Sequence, residues 1–171
     1  MTIVTLSRNS GIPRALNVGF ALARGRKLTW TSSDNEMLPQ CLATLSSYLD
    51  DHPQIGLVYA SHHNVGLRTA PTRKPPFNID VLRRGKNVIG PCFMYRREIA
   101  ELVGPYDPEC LGAEDYDVWL RMSEVTQIAS IPDLLYTYRH HAHSMSARCP
   151  ELVERSRRKA MAKAAERASR A

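Results

Sequence analysis

The sequence lacks an apolar stretch long enough to cross a bilayer, so we expect no membrane-spanning helix. Its first residues, MTIVTLSRNSG, do not place an apolar core after a basic region, so we expect no signal peptide. The four cysteines form no Cys-x-x-Cys pair, which disfavours a zinc ribbon and a disulfide framework. These absences favour a reducing compartment, and we expect a cytoplasmic protein.

An internal repeat is also lacking, and the 171 residues amount to about one domain. The chain is 43% apolar and 23% charged, which is typical of a globular protein. Its net charge is +6, of which residues 150–171 contribute +4. Binding to nucleic acid or to an anionic membrane would therefore have to rest on this basic tail.

β-Like runs alternate with helical patterns in the first third of the chain. Helical spacing of apolar residues between Pro13 and Gly25, and again over 38–51, predicts two helices. The predicted strands around them are 3–6, 28–31 and 55–60. This alternation predicts an α/β fold with a mostly parallel sheet flanked by helices.

The rest of the chain continues with less regular patterns. Residues 62–76 are polar and rich in proline, which predicts a mobile loop. We expect further strands at 87–95, 126–131 and 134–138, and helices at 77–84, 96–102, 112–122 and 150–171.

The polar residues Asp34 and Asn35 lie in the turn that follows the predicted strand 28–31. In an open α/β sheet, ligands bind beyond the carboxyl ends of the strands, so a carboxylate there is a candidate to hold a metal or a sugar. Asp and Asn are also good N-caps, and both residues could simply cap the next helix. The local sequence leaves these alternatives open.

Two further polar groups follow core-like segments, namely Glu114-Asp115 and the histidines His140, His141 and His143. One carboxylate can bind a divalent cation while a second acts as general base and a histidine completes the metal shell. Alternatively, the two acidic residues could only favour the start of a helix. The histidines could belong to a solvated loop or bind a metal adventitiously.

Five segments carry a resemblance to a known family, in its order and spacing. They are RNSGIPRALNVGFALARG, KLTWTSSDNEMLP, VIGPCFMYRREIAELVGPYDPE, GAEDYDVWLRM and LLYTYRHHAHSMS. Together they make residues 1–146 similar to glycosyltransferase family 2, which are mostly inverting enzymes of the GT-A fold. The resemblance implies a nucleotide-diphosphate sugar donor, a saccharide or other hydroxyl acceptor, and a divalent cation, Mn²⁺ or Mg²⁺.

The resemblance also implies roles for individual residues. Asp34 would be the metal ligand that reaches the diphosphate, although Ser32 and Ser33 stand where the family has further acidic residues. A serine is a poorer ligand for a hard cation, so weaker metal affinity is expected. Asp115 would be the catalytic base, and Glu114 would orient the base or the acceptor.

The remaining carried-over roles concern metal and nucleotide binding. His141 matches the family histidine that reaches the metal or diphosphate, whereas His140 and His143 occupy variable positions. Arg14 and Asn17 lie on the helix that borders the nucleotide site. Arg121 would contact phosphate or simply hold its helix.

Family members carry a strand, a helix and a second strand before the point that matches Ile3. We therefore expect an incomplete GT-A-like domain over 1–146 followed by a basic helical tail over 147–171. The chain would then be a fragment, a protein with an upstream start codon, or a degenerate remnant, and stand-alone activity is not the expectation.

Three functions are compatible with these sequence features. The first is a glycosyltransferase that is metal-dependent and inverting, and that is inactive alone if truncated. The second is a non-catalytic remnant or binding protein, favoured by Ser32 and Ser33. The third is nucleic-acid binding through the tail, which lacks interleaved aromatic residues, so we expect no nucleic-acid partner and at most a weak membrane-surface contact.

Overall fold

The computed structural model describes residues 2–170, which fold into an α/β structure. The helices are α1 (Ile12–Leu22), α2 (Cys41–Asp51), α3 (Ile79–Arg83), α4 (Arg97–Val103), α5 (Glu114–Ser123), α6 (Met145–Arg148) and α7 (Pro150–Ala168), with one 3₁₀ turn at Pro108–Cys110. The strands are β1 (Lys27–Leu28), β2 (Glu36–Met37), β3 (Ile55–Gly66), β4 (Ala70–Thr72), β5 (Phe93–Arg96) and β6 (Gln127–His140).

The strands form one sheet in the order β1-β5-β3-β6-β2, with β4 paired to β3. β3 and β6 run parallel, while the pairs β1–β5, β3–β5, β3–β4 and β2–β6 are antiparallel. The predicted α/β class is confirmed, but the sheet is mixed rather than mostly parallel. A short apolar run has the same pattern in a parallel and in an antiparallel strand. The sequence pattern therefore does not predict the direction of a strand relative to its neighbours.

Several predicted boundaries change for local reasons. The two strands expected at 126–131 and 134–138 are one strand, β6, because Pro132 and Asp133 form a bulge between Ile131 and Leu134 in the pairing with β3. β3 extends to Gly66 because its polar second half pairs with β4 and β6. The β-like run 3–6 forms no strand within the part of the chain that the structure describes.

The alternating side chains of β3 divide the core into two layers. Leu57 and Tyr59 face a layer that contains Trp119 of α5, together with side chains of α1, α4 and α7. Val58 and Ala60 face a second layer built on α2, whose Leu45 and Leu49 are fully buried. The central strand is thus covered on both faces, which explains its continuous apolar run over 55–60.

α7 packs against α5 and the 3₁₀ turn. Ala160 is fully buried there, and Ser156 Oγ donates a hydrogen bond to the Leu111 carbonyl at 2.8 Å. Arg167 donates twice to the two carboxylate oxygens of Glu124, each at 2.8 Å. These contacts join α7 to the preceding elements. The division into domains at 146 stays a prediction. None of the described helices combines the length and hydropathy that a membrane crossing requires.

Candidate active site

A pocket of about 770 Å³ opens beside β6 and the start of β5. Side chains of α1, of residues 30–35, of residues 87–93, of the start of α5 and of residues 136–146 line it. Four aromatic residues, Trp30, Phe93, Tyr136 and Tyr138, are among them. Such aromatic faces suit the apolar faces of a sugar or nucleoside, while the polar lining suits hydroxyl and phosphate groups.

Strand pairing brings Asp34 and His141 together in this pocket. β2 and β6 are antiparallel, with Glu36 opposite Thr137, so the residues before β2 lie across from those that follow β6. His141 Nε2 lies 2.8 Å from Asp34 Oδ2, and both side chains are about one-third exposed. The Arg139 backbone N–H donates to Asn35 Oδ1 at 2.9 Å and fixes the loop.

The alternative that Asp34 and Asn35 cap the next helix is not what the structure shows. α2 begins at Cys41, its N-cap is Gln40, and no side chain caps it. The two residues instead face the pocket that His141 also lines. The structure therefore places a carboxylate and an imidazole where a cation could be held.

Glu114 and Asp115 occupy the first turn of α5 and line the same pocket. Asp115 is half-buried; its Oδ1 accepts from the Tyr116 N–H at 2.6 Å and its Oδ2 accepts from Asn87 Nδ2 at 2.8 Å. Loss of hydration raises the pKa of Asp115, and these hydrogen bonds partly oppose the rise. A carboxylate in this environment is a stronger proton acceptor than one in water.

Glu114 is 5% exposed and accepts a hydrogen bond from the Gly112 N–H at 2.6 Å. Burial, and then the charge of Asp115, raise the pKa of Glu114 to about 7. Glu114 is therefore partly protonated at neutral pH. This difference in burial gives the adjacent carboxyl groups distinct environments, as a division between orienting and proton-accepting roles requires.

His140 and His143, the two histidines at positions that vary in the family, have different surroundings. His140 Nε2 is 2.7 Å from Asn64 Oδ1, which holds the ring against β3. His143 lines the pocket, and its ring centroid is 6.4 Å from that of His141.

Arg14, Asn17 and Arg121 are not among the residues that line the pocket in the described part of the chain. Arg14 is exposed on α1, while Asn17 exchanges two 2.8 Å hydrogen bonds with the backbone of Tyr106. Arg121 pairs with Asp117 at 2.7 Å and donates to the carbonyls of residues 103–105. These contacts favour the helix-holding alternative for Arg121, and the ligand roles of all three residues remain predictions.

Asn87 is a pocket residue that the sequence reasoning missed. The sequence pattern predicts a strand over 87–95, but β5 begins only at Phe93. Residues 87–90 instead form a turn. The Asn-x-x-Gly spacing before a proline predicts a turn, and it could have identified Asn87 as a turn residue. Its contact with Asp115, 28 positions away, could not have been read from that spacing.

Asp107, Cys110 and Asp117 form a different group of metal-ligand atoms, all within 4.8 Å of one another. Lys163 already pairs with Asp107, and Arg121 pairs with Asp117. Both carboxylates of this group therefore have cationic partners, and none of its three residues is among those that line the pocket in the described part of the chain.

Residues 1–104 match the family model described as Glycosyl transferase family 2. The chain is 30% identical over 149 residues to the amylovoran biosynthesis glycosyltransferase AmsE of Erwinia amylovora, covering 81% of this chain and 54% of that protein. It is 29% identical over 150 residues to the O-antigen biosynthesis protein RfbC of Myxococcus xanthus, covering 85% of this chain and 12% of that protein. The chain thus spans about half, or less, of the length of these relatives.

Solved structures show the same fold. The Staphylococcus aureus TarS fragment 1–349 in complex with UDP-GlcNAc superposes with a TM-score of 0.74 at 16% identity, covering 93% of this chain and 48% of that one. The mannosyltransferase PcManGT from Pyrobaculum calidifontis, in complex with GDP-Man and Mn²⁺, gives a TM-score of 0.62 at 20% identity, covering 99% and 47%. The fold is that of GT-A enzymes.

Proposed function

We propose, because this chain belongs to glycosyl transferase family 2, that its pocket transfers a sugar from a nucleotide-diphosphate donor to an acceptor hydroxyl, with inversion and with a divalent cation. One observation carries the proposal: a single pocket is lined by the Asp34–His141 pair and by Asp115. A cation site and a base on one pocket are the parts that this reaction needs.

The donor set at Asp34 and His141 fits a divalent cation. A carboxylate oxygen suits Mg²⁺ and Mn²⁺, and an imidazole nitrogen suits transition metals. Asp34 and His141 would hold the ion, which when bound would neutralise the charge developing on the departing diphosphate. A site with few protein ligands leaves positions for diphosphate oxygens and water, as in other phosphate-dependent sites.

Asp115 is the proposed base. It would accept the proton of the acceptor hydroxyl, whose oxygen would form a bond to the anomeric carbon of the donor sugar. The bond from that carbon to the diphosphate oxygen would break, and its electron pair would leave with the nucleoside diphosphate. A single displacement of this kind inverts the anomeric centre. Glu114, buried beside Asp115, would hold the turn that presents the base.

Relatives support the donor class. The TarS fragment binds UDP-GlcNAc, and PcManGT binds GDP-Man with Mn²⁺. AmsE is named a glycosyltransferase of amylovoran biosynthesis. These names favour a nucleotide sugar as donor for the present chain, and a hydroxyl acceptor remains part of the proposal.

A second candidate is a protein that binds a nucleotide sugar or acceptor without transferring the sugar. The hydroxyls of Ser32 and Ser33 favour it, because they line the pocket beside Asp34 where carboxylates would bind a cation more tightly. The two candidates share the binding step and differ in turnover.

Calorimetric titration of the chain with UDP and GDP, with and without Mn²⁺, tests the binding step. Binding that needs Mn²⁺ would support the proposed site, and failure of both nucleotides under both conditions would refute a donor site in this chain. Release of nucleoside diphosphate from a bound donor sugar, compared with Asp115→Asn as the matched control, then separates transfer from binding alone.

A further inference from the structure

Asn87 joins the turn before β5 to the first turn of α5. Its Nδ2 donates to Asp115 Oδ2 at 2.8 Å, and its Oδ1 accepts from the Gly90 N–H at 3.2 Å. The Gly90 contact sets the orientation of the amide, because a flipped amide would place its NH₂ against an N–H and its oxygen against a carboxylate. The amide therefore closes the turn with one end and holds Asp115 with the other.

Both oxygens of Asp115 are fixed by this arrangement. Oδ1 accepts from the Tyr116 N–H at 2.6 Å, while Oδ2 accepts from Asn87. A carboxylate held at both oxygens cannot rotate freely, and each oxygen keeps a second lone pair for another donor. This leaves Asp115 able to accept a hydrogen bond from a ligand in the pocket it lines.

The Lys74 side chain lies against Gly90 of the same turn. Its side chain crosses the α-carbon of Gly90 so closely that a Cβ atom at position 90 would lie 2.9 Å from Lys74 Cε. The backbone of this segment is anchored, since the Lys74 N–H donates to Ser61 Oγ at 3.0 Å and the Tyr59 hydroxyl donates to the Pro75 carbonyl at 2.8 Å. These two hydrogen bonds hold the segment that carries Lys74, whose side chain lies against Gly90 in the turn that Asn87 closes.

The ionisable groups near Asp115 differ in the charge that they carry at neutral pH. Glu114 is the acidic neighbour on the same helix, and burial raises the pKa values of Tyr106 and Tyr138, so both hydroxyls stay neutral. Burial lowers the pKa of Lys74 to about 8, which leaves it largely protonated at neutral pH. Burial raises the pKa of Asp115, while the hydrogen bonds from Tyr116 and Asn87, and after them the positive charge of Lys74, oppose this rise.

The buried histidine beside Lys74 does not replace this charge. His62 lies on β3 near Gly90, and burial followed by the charge of Lys74 lowers its pKa to about 4. Its imidazole is therefore uncharged at neutral pH, where Lys74 is largely protonated.

We propose that Asn87 is a positioning residue that holds the Asp115 carboxylate in one orientation toward the acceptor, and that Lys74 is the charge that stabilises its ionised form. The inference rests on the proposed function, in which Asp115 takes the proton of the acceptor hydroxyl. It adds to that function two residues outside the motifs that identify the family, one from the turn before β5 and one from the segment after β4.

The test follows the carboxyl carbon of Asp115 by NMR through a pH titration of the full chain labelled at aspartate, with Asp115→Asn assigning the signal. Asn87→Asp keeps the oxygen that closes the turn on Gly90 but replaces the donor with a like charge. We expect the pKa of Asp115 to rise by about one pH unit in this variant. Lys74→Met should also raise it, whereas Lys74→Arg should leave it unchanged.

The thermal midpoint of each variant separates positioning from a merely structural role. An unchanged Asp115 pKa in both Asn87→Asp and Lys74→Met would overturn the proposal, whatever happens to the midpoint. Because the titration needs no turnover, its result is independent of transfer. Where transfer is measurable, Asn87→Asp should lower kcat, leave the KM for the donor unchanged, and move the acid limb of the pH profile upward. Retained transfer in Asp115→Asn would refute the base assignment instead.

Discussion

Asp34 Oδ2 and His141 Nε2 are 2.8 Å apart although 107 positions separate them in the chain. The antiparallel pairing of β2 with β6 produces this contact, because it aligns the loop before one strand with the loop after the other. A carboxylate and an imidazole meet at the pocket edge as a result. The predicted metal ligands are therefore neighbours, and their role in metal binding can be tested directly.

Asp34→Ala and His141→Ala should each weaken Mn²⁺-dependent binding of UDP or GDP by at least about tenfold, because each removes one proposed ligand atom. Calorimetric titration measures the effect. His143→Ala is the matched control, since His143 lines the same pocket while His141 is the histidine that lies within hydrogen-bond distance of Asp34. Equal losses in all three variants would point to a general disturbance of the loop rather than to metal ligation.

Asp115→Asn should reduce transfer by roughly 10²–10⁴-fold while leaving nucleotide binding nearly unchanged, because the amide cannot accept the proton. The measurement is release of nucleoside diphosphate from a donor sugar, together with calorimetric binding. Asp80→Asn, on the surface of α3, provides a control of the same chemistry outside the pocket lining. Substantial residual transfer would remove Asp115 from the role of base.

Glu114 should make the folded state less stable as the pH rises. Its folded pKa of about 7 lies above the ordinary glutamate pKa of 4.5, so the folded state holds the proton more tightly than the unfolded state between these values. The contribution is complete below pH 4.5 and is lost as the pH rises through about 7, amounting to about 3 kcal/mol.

Glu114→Gln should therefore flatten the fall in unfolding free energy between pH 5 and pH 8, measured by urea denaturation. Asp115, whose pKa is also raised, should leave a residual slope of the same sign. A variant with the same pH dependence as the parent would show that Glu114 is not the titrating group.

Ala160→Asp should destabilise the chain by about 3 kcal/mol, because it would place a charge at a fully buried position of α7. Ala162→Asp, at an exposed position of the same helix, is the matched control and should change little. Thermal unfolding measures both. Equal midpoints would mean that α7 behaves as an independent tail, as the predicted division at 146 implies.

The cysteines should differ sharply in reactivity. Cys41, Cys92 and Cys110 are buried and Cys149 is exposed, so a thiol reagent such as DTNB should modify Cys149 in the folded protein and all four after denaturation. Cys149→Ser should abolish the fast reaction. Rapid reaction of Cys41 or Cys92 would contradict the packing of α2 against β5.

Cys41 and Cys92 form a contact that the sequence pattern does not predict. Their wide spacing offered no disulfide framework, yet their sulfur atoms lie 3.7 Å apart in the core. Cys41 begins α2 and Cys92 precedes β5, so their proximity depends on how α2 packs on the sheet. Local spacing carries no information about that packing.

The sequence by itself determined the α/β class, most of the helices and the family, because these depend on local periodicity and on motifs whose residues are close together. It also singled out Asp34, Asp115 and His141 as candidates, since each stands in such a motif. Tertiary structure alone decided that these residues line one pocket, that the sheet is mixed, and that Asn87 holds Asp115. The reason is that strand direction, strand pairing and turn-to-helix contacts join residues far apart in the chain, and no periodicity records which of them meet.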